Sequence, residues 1–111
     1  MTEKSHTEYL GKILNLSEML AYQESSVVSK TLIDKKVGTI TLFSFDKEQG
    51  LSEHTAPFDA LVYIIDGKAD VILSKKSNIL KAGEMIIMPA NEPHALKALE
   101  KFKMMLIMIK E

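Results

Sequence analysis

The stretch ALVYIIDGKADVIL, residues 60–73, decides the fold class of this chain. Two apolar runs rich in β-branched residues, 61–65 and 69–73, flank the triplet Asp66-Gly67-Lys68. Asp-Gly between two strand-like runs is a strong hairpin signal, because a primed turn needs positive φ, which glycine adopts freely and aspartate tolerates. The stretch therefore predicts a β-hairpin that turns at Asp66-Gly67.

The rest of the chain repeats this strand-and-turn rhythm. Before it, residues 10–16 are apolar enough for a short strand, and Ser17 is placed to cap a single turn that ends at Leu20. No segment keeps a 3.6-residue apolar period over four turns, so little helix is expected. Further strands are predicted at residues 26–33, 37–45, 84–88, 94–99 and 102–109. Eight to ten short strands with closely spaced turns predict an all-β sandwich, jelly roll or barrel.

Composition narrows the function classes. The chain has 111 residues, which is one domain's worth, and a formal net charge of −1. Its basic residues are scattered, so no stripe is available to neutralise phosphates and a nucleic-acid partner is not expected. It contains no cysteine, which excludes disulfides and thiolate zinc sites. The longest apolar run, residues 104–109, is far too short to span a membrane, so we expect a cytoplasmic protein with no membrane partner.

Two histidine-bearing motifs lie in this part of the chain, one overlapping residues 60–73 and one following them. The first motif runs from Gly50 to Gly67. Between these glycines it contains His54, Ala56 and Ala60. The six residues between Ala60 and Gly67 begin with a strand-like run, which suits a motif that ends in a turn.

The second motif begins at Gly83 and contains Pro89, Asn91, His94 and Ala98. In this order and at this spacing, the two motifs resemble those of the cupin superfamily, whose members are jelly-roll β-barrels (double-stranded β-helices). Asn91 stands where the family has a glycine, and asparagine is the next most tolerant residue for a left-handed backbone. Ala98 stands where the family has an asparagine.

The resemblance implies a metal site with half of its ligands missing. Cupins hold a metal inside the barrel with three histidines and a glutamate. His54 and His94 match two of the histidine positions, whereas Ala56 matches the other histidine and Ala60 the glutamate. Two imidazoles without a carboxylate hold a divalent ion only weakly, since a catalytic site generally keeps three protein ligands.

The resemblance also sets the expected domain organisation. It covers about residues 40–109, so the conserved barrel is expected over about 36–109 and residues 1–35 as N-terminal strands or an arm. Gly50 lies two residues closer to His54 than the family spacing asks. A third histidine, His6, lies in the polar lead-in, where an exposed side chain without a role is expected.

A substitute ligand near the histidine pair is conceivable from the strand pattern. On a regular strand Asp59 points away from His54, but a bulge at Pro57 would swing it inward. Glu53 and Glu92 each neighbour a histidine and therefore face the opposite side. Either histidine also has a plain structural interpretation, as a core residue hydrogen-bonded to a backbone carbonyl.

We expect a mostly apolar pocket with two imidazoles facing each other across the barrel interior. Replacing a histidine and a glutamate by alanines enlarges such a pocket and removes the charge that would hold a cation. Its expected lining is His54, His94, Ala56, Ala60, Asp59, Val62, Met88, Phe102 and Met104, with Phe43, Phe45, Ile64, Leu106 and Met108 as further candidates.

The methionines raise a separate hypothesis. Five of them, Met85, Met88, Met104, Met105 and Met108, fall in two predicted strands that are candidates for neighbours. Thioether clusters bind Cu(I), although methionine more commonly fills gaps in a core. From the sequence, core packing is the favoured interpretation of these methionines.

Three functions fit the sequence. The first is a metal-free module that binds a small molecule in the barrel pocket, as a sensor or accessory protein. The second is a metal-dependent enzyme (isomerase, dioxygenase or decarboxylase type) that uses His54, His94 and an improvised third ligand; this rests on analogy with the fold. The third is a homodimer without a ligand, paired through strand 102–109 and the segment 10–20, and pairing is compatible with either of the others.

Overall fold

The computed structural model describes residues 7–110, and His6 lies outside this range. The described chain is built almost entirely from β-strands, with two single-turn 3-10 helices at Thr7–Tyr9 and Leu16–Glu18. The strands are β1 (Val27–Lys35), β2 (Gly38–Phe45), β3 (Gly50–His54), β4 (Asp59–Asp66), β5 (Lys68–Leu73), β6 (Lys76–Lys81), β7 (Met85–Met88), β8 (His94–Ala98) and β9 (Phe102–Ile109). No helix within residues 7–110 is long and apolar enough to cross a membrane.

The strands form two facing sheets in a jelly-roll-like sandwich. One sheet has the order β1-β2-β9-β4-β7 and the other β3-β8-β5-β6, and all their pairings are antiparallel. The two sheets are not joined into one closed hydrogen-bonded cylinder. The all-β jelly-roll prediction is confirmed, and its two sheets enclose the core as a sandwich.

The hairpin predicted at Asp66-Gly67 is wrong, although both of its strands exist. β4 lies in the five-stranded sheet and β5 in the four-stranded sheet, so the turn is a corner between sheets. Gly67 has a φ of +84°, and a Cβ there would lie 2.8 Å from the Cα of Phe102 and collide with the carbonyl of Lys101. Glycine is needed because the corner packs directly against the start of β9, a contact that no local pattern shows.

The tight hairpin lies one strand later, between β5 and β6. Ser74 and Lys75 have φ values of 49° and 67°, and Leu73 pairs directly with Lys76. Two consecutive residues with positive φ are the mark of a type I′ turn. A turn is predicted from the sequence over residues 74–78, but its type I′ geometry is not, because neither residue with positive φ is a glycine or an asparagine.

The N-terminal segment covers the outer face of the five-stranded sheet. Residues 10–16 form no strand, and the short turn is a 3-10 helix in which Asn15, not Ser17, holds the N-cap position, without a side-chain capping bond. Neither the predicted strand nor the predicted Ser17 cap forms, because side-chain packing against the sheet holds this segment and its backbone pairs with no strand. It packs with an outer cluster that contains Tyr9, Leu14, Leu16, Met19, Leu20, Leu32, Ile40, Leu42 and Met105.

Tyr22 fastens the end of this segment to the corner between the sheets. Its hydroxyl donates a 2.5 Å hydrogen bond to the carboxylate of Asp66. The ammonium groups of Lys101 and Lys103 each lie 4.9 Å from the centre of its ring. Partial burial, followed by the Asp66 carboxylate, raises the pKa of Tyr22, so the phenol stays protonated and donates.

Strand β9 is central, which overturns its expected role as an open edge. It pairs with β2 along its whole length and with β4 on the other side. Its inward side chains join the main core, where the rings of Phe45 and Phe102 stack with centres 4.4 Å apart. A dimer cannot form by strand addition to β9, because both of its backbone edges are already paired.

Candidate functional site

The two motif histidines lie side by side on neighbouring strands. His54 ends β3, His94 begins β8, and the two residues are direct cross-strand partners. Their ring centres are 4.3 Å apart, with the ring planes at 67°. The expectation that they face each other across the interior is therefore wrong, because the antiparallel register of β3 and β8 sets them on the same sheet.

The outer nitrogen of each ring is held by the backbone. His54 Nδ1 lies 2.8 Å from the carbonyl oxygen of Ser52, and His94 Nδ1 lies 3.1 Å from that of Glu92. A carbonyl oxygen only accepts, so each Nδ1 is assigned as the protonated, donating nitrogen. In the neutral form of this tautomer, Nε2 of each ring carries a lone pair and accepts.

These two lone pairs converge on one point. The Nε2 atoms of His54 and His94 are 3.1 Å apart. Two acceptors do not attract each other at this distance, so a shared proton or another electrophile is needed between them. This is also the tautomer that metal-binding histidines adopt, with the remote nitrogen bonded to a backbone carbonyl.

The pair lies at one side of a small, nearly apolar cavity. Its volume is about 60 Å³, well below the roughly 300–1,000 Å³ of pockets that take drug-sized ligands. Of the residues expected to line it, Val62 and Phe102 instead lie fully buried in the core beside it, and Asp59 is not in the wall. The lining consists of Leu51, His54, Ala56, Ala60, Met88, His94, Leu96, Met104, Leu106 and Met108.

The carboxylates near the histidines have structural roles elsewhere. Asp59 accepts a 2.8 Å hydrogen bond from the backbone N–H of Ala90. A second bond, from the N–H of Asn91 to the carbonyl of Ala56, also joins the β3–β4 loop to the β7–β8 loop. The inward bulge considered for Asp59 is therefore not formed, because its carboxylate is used to connect two loops.

The two glutamates also lie away from the cavity. Glu53 is exposed, and Glu92 is exposed with its carboxylate accepting a 2.9 Å hydrogen bond from the hydroxyl of Ser74. Asn91 has a φ of +70°, the left-handed conformation predicted for its position in the motif. Its backbone turns the chain between β7 and β8 and so places His94 at the start of β8.

The methionines divide between the two faces of the sheet. β7 and β9 are separated by β4, so the two methionine-rich strands are not neighbours, contrary to expectation. Met88 and Met104 are buried in the inner core, whereas Met105 packs in the outer cluster and Met85 is exposed. Met88, Met104 and Met108 all line the cavity.

Two lining residues were missed in the sequence. Leu96 follows His94 by two residues on β8, so strand alternation alone places both on one face. Leu51 precedes His54 by three residues, and the irregular register between them in β3 brings both to the cavity. No periodicity argument finds Leu51, because the irregularity shifts the face.

The metal that the family resemblance implies does not fit the donors present. Within residues 7–110 no group of three histidine, aspartate or glutamate side chains is close enough to hold a metal ion. The positions of the missing histidine and glutamate, Ala56 and Ala60, present only methyl groups to the cavity. Two imidazoles and no carboxylate leave a divalent ion with two uncompensated charges in apolar surroundings.

Comparison with known proteins gives both family and fold. The family model of the cupin domain matches residues 41–110. A conserved protein of unknown function from Streptococcus pyogenes is 36% identical, with a TM-score of 0.87, over 91% of this chain and 89% of that one. A cupin superfamily protein from Desulfitobacterium hafniense is 27% identical, with a TM-score of 0.86, over 91% and 93%.

A third similar structure comes from a longer chain. The cupin 2 conserved barrel domain protein from Leptotrichia buccalis is 44% identical, with a TM-score of 0.85. The match covers 87% of this chain but only 47% of that one, so this chain spans about half the length of that relative. No curated protein matches the sequence. Because the family model covers most of the chain and the two-sheet fold agrees, this protein belongs to the cupin superfamily, as a small barrel of the cupin 2 type.

Proposed function

We propose that this protein is a non-catalytic binding module, a sensor or accessory protein, whose barrel cavity takes a small ligand at the paired imidazoles. The observation that carries the proposal is the convergence of two Nε2 atoms, 3.1 Å apart, beside an otherwise apolar cavity. Few convergent polar groups in an apolar hollow are the usual description of a ligand site.

The size of the cavity limits the ligand. About 60 Å³ suits an ion or a molecule of a few non-hydrogen atoms. The long side chains of Met88, Met104 and Leu106 occupy space that the two alanines would otherwise leave open. The enlarged pocket expected from the sequence is thus reduced by its own lining, which supports a very small ligand over a metabolite-sized one.

The metal-dependent enzyme lacks support from the donor set. It needs a third ligand, but Asp59 and Glu92 are engaged in hydrogen bonds outside the cavity, and Glu53 is exposed. A catalytic metal site generally keeps three protein ligands and one open position. We therefore favour the binding module over the enzyme.

The test is a titration followed through the histidines themselves. Protein labelled with ¹⁵N-histidine is titrated with acetate, azide, Ag(I) and Zn(II), and the imidazole nitrogen shifts are recorded. We expect at least one probe to shift the Nε2 signals of both His54 and His94 to saturation at one equivalent. The variant Ala60→Val, which fills the cavity, should abolish the shift.

Two outcomes contradict the proposal. If none of the probes moves either Nε2 signal, the cavity is not a ligand site and the two histidines are structural. If Zn(II) binds more tightly than every other probe and confers turnover on a substrate of a cupin enzyme, the catalytic alternative replaces the binding module.

We propose in addition that the protein forms a homodimer through the outer side of β7. This strand is an edge of the five-stranded sheet, and its outward side chains Met85 and Ile87 are 49% and 54% exposed. An open apolar edge favours pairing, and the Leptotrichia relative is long enough to hold two barrels of this size in one chain. Sedimentation velocity tests this: a dimer that Ile87→Lys converts to monomer supports it, and a monomeric parent protein overturns it.

A further inference from the structure

Two methionine side chains flank Ala60, the alanine at the position of the family's glutamate. Met88 on β7 and Met108 on β9 are both direct cross-strand partners of Ala60, one on each side of β4. Directly opposed side chains in antiparallel strands have Cβ atoms about 4.5–5.5 Å apart. Because Ala60 carries only a methyl group, the two methionine side chains flank it at the cavity wall without a larger side chain between them.

The sulfur-bearing wall and the imidazoles belong to one cavity. Met88 and Met108 line it together with His54 and His94. Met88 is 2% exposed and His94 is 7% exposed, so two of these four donors are held by the core. The other two lie nearer the opening, where His54 is exposed and offers a route of entry.

The donors are neutral, and this selects the charge of the ion. Apart from the two imidazoles, no acidic or basic side chain is part of the cavity lining. A divalent ion would keep two positive charges in apolar surroundings, whereas a monovalent ion would keep one, and the cost of an uncompensated buried charge rises steeply with its magnitude.

The donors are also soft, and this selects the element. Thioether sulfur favours Cu(I), and imidazole is a good ligand for copper as well. We propose that the cavity is a site for a soft monovalent metal ion, Cu(I) or its analogue Ag(I), bound by Nε2 of His54, Nε2 of His94 and thioether sulfur from Met88 and Met108. This inference rests on the proposed function, since it names the ligand of the same pocket.

The imidazole geometry needs only a small adjustment. Two metal–nitrogen bonds of about 2.0 Å at a tetrahedral angle separate the nitrogens by about 3.3 Å. The Nε2 atoms are 3.1 Å apart, so an opening of a few tenths of an ångström is enough. Both Nδ1 atoms can keep their backbone carbonyl bonds during this movement, because the rings pivot about them.

The experiment is a titration with Ag(I), which does not oxidise, followed by Cu(I) under anaerobic conditions against a chromogenic chelator. Native mass spectrometry gives the stoichiometry, and methyl-¹³C methionine spectra report which sulfurs respond. We expect one ion per chain and shifted methyl signals for Met88 and Met108. The signals of Met85, which is exposed, and of Met105, which packs in the outer cluster, should stay in place.

Volume-conserving variants separate binding from packing. Met88→Leu should weaken Ag(I) binding at least tenfold, and Met105→Leu, the matched control on the outer face, should leave it unchanged. Leucine and methionine exchange usually costs below about 1.5 kcal/mol, so both variants should fold, which thermal melting verifies. His6→Ala, in the N-terminal lead-in, should also leave the affinity unchanged.

Three results would overturn the inference: Zn(II) binding as tightly as Ag(I), unchanged affinity in Met88→Leu, or methyl shifts confined to Met85 and Met105. If Ag(I) and Cu(I) fail to bind while acetate or azide still shifts the histidine nitrogens, this inference fails and the binding module stands. If no probe binds, both fail together.

Discussion

The space between the two sheets has a packed end and a cavity end, and the same strands build both. At the packed end Phe45, Ile64, Ala69 and Phe102 are fully buried, and the two phenyl rings stack 4.4 Å apart. At the cavity end the wall is formed by the paired imidazoles, two alanines and flexible thioethers. β4 supplies Ile64 to the first end and Ala60 to the second.

The difference between the two ends shows how one β-sandwich can use one region for stability and another for ligand binding. Rigid aromatic and β-branched side chains fill the packed end at the density of an organic crystal. The cavity end uses methyl groups and methionines, which adapt their shape at low cost. Substitutions at the packed end should therefore act on the free energy of unfolding, and substitutions at the cavity end on ligand binding.

Phe102→Ala should lower the free energy of unfolding more than the other variants, and it tests whether the packed end supplies most of the stability. Removing a fully buried phenylalanine costs about 3–5 kcal/mol, because the lost transfer energy adds to that of the cavity left behind. Urea unfolding followed by circular dichroism measures it. Ile79→Ala, at a side chain that is 61% exposed, is the control and should stay within about 0.5 kcal/mol. A loss below 1 kcal/mol for Phe102→Ala would mean that the packed end does not dominate stability.

Gly67→Ala tests the corner beside the packed end, with Gly83→Ala as its matched control. Both glycines have positive φ, at 84° and 91°, so alanine strains the backbone by about 1–2 kcal/mol at either site. Only at Gly67 does a Cβ meet backbone, and displacing it should add about 1–3 kcal/mol; at Gly83 nothing lies within 4 Å. Equal midpoints of thermal unfolding for the two variants would contradict the corner's close packing against β9.

His94→Ala moves the test to the cavity end, where a smaller loss of stability is expected. The variant removes the hydrogen bond from the ring's Nδ1–H to the carbonyl of Glu92, worth about 0.5–1.5 kcal/mol, together with the ring's contact with His54. The unfolding free energy should fall by about 1–2 kcal/mol, and every probe that shifts the His54 nitrogens in the parent should lose its effect. A variant that still binds the probe would place the ligand outside the imidazole pair.

Ala60→Val should give the smallest change in stability and the sharpest contrast with the packed end. The added methyl groups enter a cavity of about 60 Å³, so stability should change by less than about 1 kcal/mol while probe binding is lost. Calorimetric unfolding gives the first quantity and the histidine titration the second. Destabilisation beyond about 3 kcal/mol would show that this end is as tightly packed as the other.

Strand positions were predictable because they depend on local patterning. β9 runs from Phe102 to Ile109 as expected, and β7 begins within one residue of its predicted start. Along β2, the two-residue period of a strand places Phe43 and Phe45 on the face that joins the inner core, and Ile40 and Leu42 on the face that joins the outer cluster. Side-chain period and turn propensity are properties of a few neighbouring residues, so they are visible in the chain itself.

Partner choice was not predictable in the same way. The run around Asp66-Gly67 has every local feature of a hairpin, yet β4 pairs with β7 and β9, and β5 with β6 and β8. The real type I′ turn, at Ser74 and Lys75, has no turn-specific residue. Which strands pair depends on contacts over tens of residues, and packing against Phe102 decides the direction of the chain at Gly67.

By itself the sequence determined most of the strands, the fold family and the two histidines at family ligand positions, because these follow from local pattern and motif spacing. Only the tertiary structure decided that His54 and His94 are neighbours with converging nitrogens, that Asp59 connects two loops, and that methionines from two strands flank Ala60. The reason is physical: the contents of a cavity depend on register and sheet order, which the long-range packing of the whole domain selects.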